Sequence, residues 1–263
     1  MLNFISLYSG STGNSLFVES ENTKILIDAG VSAKKILSAL TSLQSDINEI
    51  NAILVTHEHI DHVQSLGTIS AKYNIPVFAN SKTWDAMPKQ KDKISYYNQK
   101  HFNPTEKFEI GDLTIEPFPI PHDAANPCGF NIYHENKKLS IATDLGHMTK
   151  PILEKLEGSS FIMLESNYDP EILKCCSYPY HLKTRIAGPN GHLPNQMAGK
   201  TIAYLLKSGL KEVTLGHLSK ENNFPELAYK TVIDELIESN FDENSIHVSV
   251  ASRLAPSKLI EVS

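Results

Sequence analysis

The chain has 263 residues, 41% hydrophobic and 21% charged, a composition that excludes disordered and fibrous architectures. Its 24 Lys+Arg against 30 Asp+Glu give net charge −6, so there is no global attraction for nucleic acid and any phosphate binding has to be local. No apolar run reaches the ~18 residues of a membrane span, no basic stretch opens a secretory signal, and Cys128, Cys175 and Cys176 are too few for a disulfide framework; a cytoplasmic protein without a membrane partner is expected.

In chain order, β-branched or alternating runs predict strands over 2–6, 15–19 and 24–27, helical periodicity predicts 32–43, and a strand over 52–55 precedes a helix over 62–73. Strands follow over 113–118, 130–133, 139–142 and 161–164, then helices over 194–206 and 225–237, and a last strand over 246–251. No repeat, low-complexity tract or linker interrupts them, so one domain over 1–263 is expected. The class is α/β, and hairpin-like strand pairs separated by helices point to sheets faced by helices.

The densest chemical signal is Thr56-His57-Glu58-His59-Ile60-Asp61-His62, directly after an apolar strand, where a strand-to-helix loop lets side chains converge. From the composition, His-x-His-x-Asp-His arises by chance ~8 × 10⁻⁴ times in such a chain. Neutral imidazoles suit zinc, and a carboxylate among them also accepts manganese or iron; with no cysteine in the cluster the metal stays open. Three further polar residues stand at strand ends: His122, Asp144 and His217. Taken singly, each is more often a turn former or a hydrogen-bonded loop residue than a ligand.

In order along the chain, Leu26-Ile27-Asp28-Ala29-Gly30, the His-x-His-x-Asp-His run, His122, Asp144 and His217 resemble the five motifs of the metallo-β-lactamase superfamily. Within it, Ser9-Gly10-Ser11-Thr12-Gly13-Asn14-Ser15, Leu164-Glu165-Ser166-Asn167-Tyr168-Asp169, Gly191-His192-Leu193-Pro194-Asn195 and Leu215-Gly216-His217-Leu218-Ser219-Lys220 resemble the YycJ/WalJ branch. The resemblance implies an αββα sandwich of two mixed sheets with two divalent ions at one edge. It assigns His57, His59 and His122 to one ion, Asp61, His62 and His217 to the other, and Asp144 to both, with Asp28 behind them orienting the ligand loop. Room remains for a shared water, which two cations ~3.5–4 Å apart can turn into hydroxide at neutral pH.

His59, where redox di-iron members carry Glu, implies hydrolysis, and Asp144, where several antibiotic-hydrolysing members carry Cys, points to phosphodiesters, lactones or thioesters. By likeness to the tRNA-processing branch, Glu165 orients His192 and favours its protonated form, so that His192 binds the phosphate or protonates the leaving oxygen; an unrelated strand-end Glu and helix-start His is the alternative. Asp61, His192 and Glu165 are thus the candidate catalytic residues. Asn14, Lys183, Arg185, Lys200 and Lys220 are candidate substrate contacts, though scattered lysines are as a rule solvated surface. Tyr168, Tyr178 and Tyr180 either stack on bases or pack under a loop. The separations His122 to Asp144 and Asp144 to His217, 22 and 73 residues, are too short for a tRNase Z arm or a β-CASP insertion. The branch resemblance implies a DNA exonuclease working from the 5′ end. Hydrolysis of a small ester, thioester or cyclic phosphodiester is the main alternative, and a noncatalytic metal-stabilised signalling partner the third.

Overall fold

In the computed structural model, which describes residues 1–242 and 244–263, strands buried on both faces dictate the layering. Asn3–Tyr8 is buried at all six positions and Phe161–Glu165 at all five, and a strand of that kind needs cover on each side. One sheet runs in the order Ile260–Glu261, Asn3–Tyr8, Ser15–Glu19, Lys24–Ile27, Ala52–Leu54, Val77–Ala79, Gln99–His101. The other runs His247–Val250, Glu212–Gly216, Phe161–Glu165, Lys137–Ala142, Cys128–His134, Leu113–Pro119, Phe108–Ile110.

Phe4, Val18 and Ile27 of the first sheet pack against Ile132, Ile141 and Phe161 of the second in one buried cluster between the sheets. Alternate residues point outward, as period-two geometry requires. Ile5, Leu26 and Ile53 meet the helices Ala33–Ser42 and Leu66–Tyr73, while Ile162, Val213 and Leu215 meet Asn195–Leu206 and Pro225–Glu238. The result is an αββα sandwich, as the resemblance implied.

Each sheet contains a parallel set. Lys24–Ile27, Ala52–Leu54, Val77–Ala79 and Gln99–His101 run together in one, and Lys137–Ala142, Phe161–Glu165, Glu212–Gly216 and His247–Val250 in the other. Parallel strands deliver their carboxyl ends, and the loops that follow, to a common edge, which is where open α/β sheets place their sites.

The single helix expected over 62–73 is two, Ile60–Val63 and Leu66–Tyr73. The break has a cause: the Ser65 amide donates to Ala29 O at 2.9 Å, tying the chain to the loop after Lys24–Ile27. The strands Val77–Ala79, Gln99–His101, Phe108–Ile110 and Ile260–Glu261 and the helices Lys150–Leu156, Pro170–Cys175 and Tyr180–Ile186 add to the expected elements. Among the described residues, no helix is long and apolar enough to cross a membrane.

Candidate metal centre

Backbone ties shape the ligand loop before any side chain acts. The Asn14 amide donates to Asp61 O and the Ala29 amide to His62 O, each at 2.8 Å. Gly30 lies so close that a Cβ there would sit 1.6 Å from Asp61 O. Three residues at the surrounding strand ends, Asp28 (φ 63°), Asp144 (φ 59°) and His217 (φ 54°), hold left-handed backbone without being glycine. Such conformations cost ~1–3 kcal/mol each and persist where the surroundings over-determine them.

The side chains so placed form two groups. His57, His59 and His122 converge on one point, and Asp61, His62 and His217 on another, with ligand atoms in each group within 4.8 Å of one another. Asp144 stands between them: Oδ2 is 3.2 Å from His62 Nε2, and Oδ1 is 3.4 Å from His217 Nε2 and 3.6 Å from His122 Nε2. All seven residues named from the sequence are therefore brought together.

Second partners aim the imidazoles. Nδ1 of His62 is 2.7 Å from Asp28 Oδ2, and Nδ1 of His217 is 2.8 Å from Glu165 Oε1. Nδ1 of His122 donates to Gly191 O at 3.0 Å, and Nδ1 of His57 meets Thr56 Oγ1 at 3.0 Å. With Nδ1 engaged in each case, Nε2 is the nitrogen left to face the interior of the cluster, the usual arrangement behind a metal-ligating histidine. His59 turns its Nδ1 inward instead, 3.3 Å from His122 Nε2. Asp28 also accepts from the Thr56 amide and hydroxyl at 2.9 and 2.8 Å, so it joins the His62 ring to the start of the ligand loop.

The electrostatics of these side chains call for positive charge. Burial disfavours the charged form of His217, but Asp144, Asp61 and Glu165 outweigh it and push its pKa up to about 10. Burial likewise opposes charge on His62, and Asp144 and Asp28 raise it well above the usual range. Burial would raise the carboxyl of Asp144; His217 and His62 instead hold it well below the usual range. His57 goes the other way, lowered by burial and by neighbouring His62, which favours the neutral ligand form. Within the cluster, buried His57 Nε2 has no hydrogen-bond partner among the described residues, and Asp144 Oδ2, though 3.2 Å from His62 Nε2, makes no hydrogen bond of good geometry. An imidazole and carboxylate set with such orphaned lone pairs fits divalent cations of borderline hardness.

Glu165 is wholly buried and serves more than the sequence suggested. Its Oε1 lies 2.8 Å from both His192 Nδ1 and His217 Nδ1, and Oε2 accepts from the amides of Leu145 (2.6 Å) and Leu193 (3.1 Å). Burial would raise its pKa, and the charges and hydrogen bonds of His192 and His217 lower it. His192, whose Nδ1 is 3.8 Å from Asp144 Oδ1, borders a cleft of about 200 Å³ together with His59, Asp61, Asn167, Arg185 and His217.

The expected substrate contacts divide. Arg185 lines the cleft, paired with Asp123. Asn14 does not: it is buried, with Oδ1 accepting from the Gly10 amide at 2.9 Å and Nδ2 donating to Gly10 O at 3.1 Å, because its amide braces the loop beneath Asp61 and His62. Lys183 points away from the cleft, donating to Lys174 O at 2.6 Å. Lys200 and Lys220 are exposed and outside the cleft. Thr56 and Asn167, whose Nδ2 donates to His217 O at 2.7 Å, were missed; only their positions beside His57 and Glu165 carried a signal.

The family model described as "Beta-lactamase superfamily domain" matches residues 23–217, a span that ends on His217 and contains every ligand candidate. The chain is 38% identical over 240 residues to the Bacillus anthracis "Exodeoxyribonuclease YycJ", covering 91% of each. It is 38% identical over 237 residues to the Streptococcus pneumoniae "Exodeoxyribonuclease WalJ", covering 89% of this chain and 88% of that one. The crystal structure of the metallo-β-lactamase fold protein YhfI from Bacillus subtilis superposes with TM-score 0.71 at 14% identity, over 99% of this chain and 100% of the other. Fold and sequence meet in one conclusion: the chain belongs to the beta-lactamase superfamily, as a metal-dependent hydrolase of its YycJ/WalJ-like branch.

Proposed function

We propose that the chain, as a single domain over 1–263, is a phosphodiesterase with two divalent ions, zinc or manganese, that degrades DNA from the 5′ end in the cytoplasm. His57, His59 and His122 would hold one ion, Asp61, His62 and His217 the other, and Asp144 both; iron suits the same donors. Bound there, divalent ions supply Lewis acidity at a phosphoryl oxygen and lower the pKa of water. Arg185 at the rim attracts the backbone phosphate. His192, which borders the cleft with its Nδ1 held by Glu165 Oε1 at 2.8 Å, keeps Nε2 to give a proton to the departing sugar oxygen, while Glu165 fixes its orientation.

The observation that carries this reading is Glu165 bridging His192 and His217 at 2.8 Å each. A non-ligand imidazole is thereby locked beside the ligand groups, where a poor leaving group such as a sugar alkoxide needs it. The names of the 38%-identical relatives support DNA as the substrate. The test is incubation of metal-stripped protein, with zinc or manganese restored separately, with 5′- and 3′-labelled single- and double-stranded DNA. Metal-dependent release of nucleotides from the 5′ end is expected. Intact DNA beside vigorous hydrolysis of a small ester or cyclic phosphodiester would overturn the assignment in favour of that rival.

A further inference from the structure

Next to the metal cleft lies a larger cavity of about 460 Å³ whose walls include Tyr168, Tyr178, Tyr180, Leu173, Lys174 and Lys183. The cleft itself encloses about 200 Å³. Sites that enclose a small organic ligand run to ~300–1,000 Å³, so the cleft has room for a phosphodiester and the cavity has room for the bulk attached to it. Tyr178 lines both spaces, which therefore adjoin one another there. Beyond it the helix Tyr180–Ile186 divides them, presenting Leu182, Arg185 and Ile186 to the cleft and Tyr180, Lys183 and Thr184 to the cavity.

The cavity's chemistry is specific. Tyr168, 5% exposed, is part of the packed wall, whereas Tyr178 is half-buried and Tyr180, 85% exposed, stands at the mouth. Leu173 and Pro170 supply apolar surface. Lys183 spends one donor on Lys174 O at 2.6 Å, which fixes the ammonium at the wall and leaves two N–H groups for an anion. Aromatic faces beside a tethered cation, adjoining a cleft with room for a phosphodiester, match a nucleobase and its neighbouring phosphate.

Resting on the DNA-degrading reading above, we propose that this cavity is a nucleobase subsite, in which a base of the substrate strand passes Tyr178 and stacks on Tyr178 and Tyr180 while Lys183 meets the neighbouring phosphate. Every base has a π-face, so the subsite holds DNA without sequence preference. Tyr168 contributes the wall and no stacking.

The test is equilibrium binding of two 3′-fluorescein-labelled, phosphorothioate-linked trimers to the metal-loaded full chain, read by anisotropy: trithymidylate, and the same trimer with tetrahydrofuran in place of each base. The base-bearing trimer should bind roughly 10–100-fold more tightly. Tyr178→Ala with Tyr180→Ala should shrink that ratio to about twofold, and Tyr178→Phe should keep it, since the ring face does the stacking. Should the double variant fail to fold, Tyr180→Ala alone, at an exposed position, should still lose part of the ratio. Equal affinity of the wild type for both trimers overturns the subsite whether or not DNA is degraded. A base-dependent ratio untouched by the tyrosine substitutions overturns it too. Base-dependent binding that disappears in the variants, without any DNA degradation by the wild type, upholds the subsite and removes the nuclease assignment alone.

Discussion

Glu165 holds two imidazoles on one oxygen, His192 at 2.8 Å and His217 at 2.8 Å, and its other oxygen collects two backbone amides. Removing its charge should therefore touch metal binding and proton transfer together. Glu165→Gln is expected to weaken metal retention ~10–100-fold, the usual effect of losing the partner behind a ligand. His192→Ala should leave metal content unchanged and lower kcat on DNA by roughly 10²–10⁴-fold, with a much smaller loss on a bis-aryl phosphodiester, whose leaving group needs little protonation. Metal analysis beside kcat on both substrates separates the two. Wild-type metal content in Glu165→Gln would show that the His217 contact is dispensable, and equal losses on both substrates in His192→Ala would show that it is no proton donor.

The loops that carry the site are set by one another. The segment 28–30 after Lys24–Ile27 packs against 61–62, with Gly30 directly under the Asp61 carbonyl. Gly30→Ala has no room: its Cβ would lie 1.6 Å from Asp61 O and 2.7 Å from His62 N, both backbone atoms. The ligand loop has to move, at a cost of at least the ~1–3 kcal/mol of ordinary overpacking. On the two-ion assignment proposed above, stoichiometry should fall from two ions toward one, with the ion of Asp61, His62 and His217 lost first; full loading with an unchanged melting temperature would refute this. Much of this architecture was readable in the sequence because its causes are local. Strands buried on both faces, such as 24–27 and 161–164, stand out as apolar runs, and His57 to His62 lie within six consecutive residues, from the end of a loop into the helix Ile60–Val63. Tyr180–Ile186 has no buried residue and so no helical periodicity, and Pro170–Cys175, with Leu173 as its one buried residue, has hardly more. Val77–Ala79 and Gln99–His101 have three residues each and exist through their pairing. The Glu165 to His217 contact joins adjacent strands of one sheet, and the bracing role of Asn14 depends on a loop 47 residues away. No pattern along the chain records either.

Across the whole molecule, each ligand group draws on both sheets. His57 and His59 follow a strand of one sheet and His122 a strand of the other; Asp61 and His62 face His217 in the same way. A ligand that binds the folded chain and not the unfolded one stabilises it by about 4 kcal/mol at a thousand times its dissociation constant. For a domain of this size that is a rise of roughly 10 °C in Tm. Stripping the metals should lower Tm by about that amount, and restoring zinc or manganese should recover it. Coincident melting curves with and without metal would show that the ions do not join the sheets.

The register between the sheets is kept by the apolar layer between them, where the Phe4 and Phe161 rings lie 4.7 Å apart. A slide of one sheet over the other would change every cross-sheet ligand distance at once, so the rate at which ions escape follows the stiffness of that layer. Close-packed interiors resist such shear. Ions held there would then depend for their retention on Phe4 and Phe161, far from any lone pair, as well as on the seven residues that would hold them.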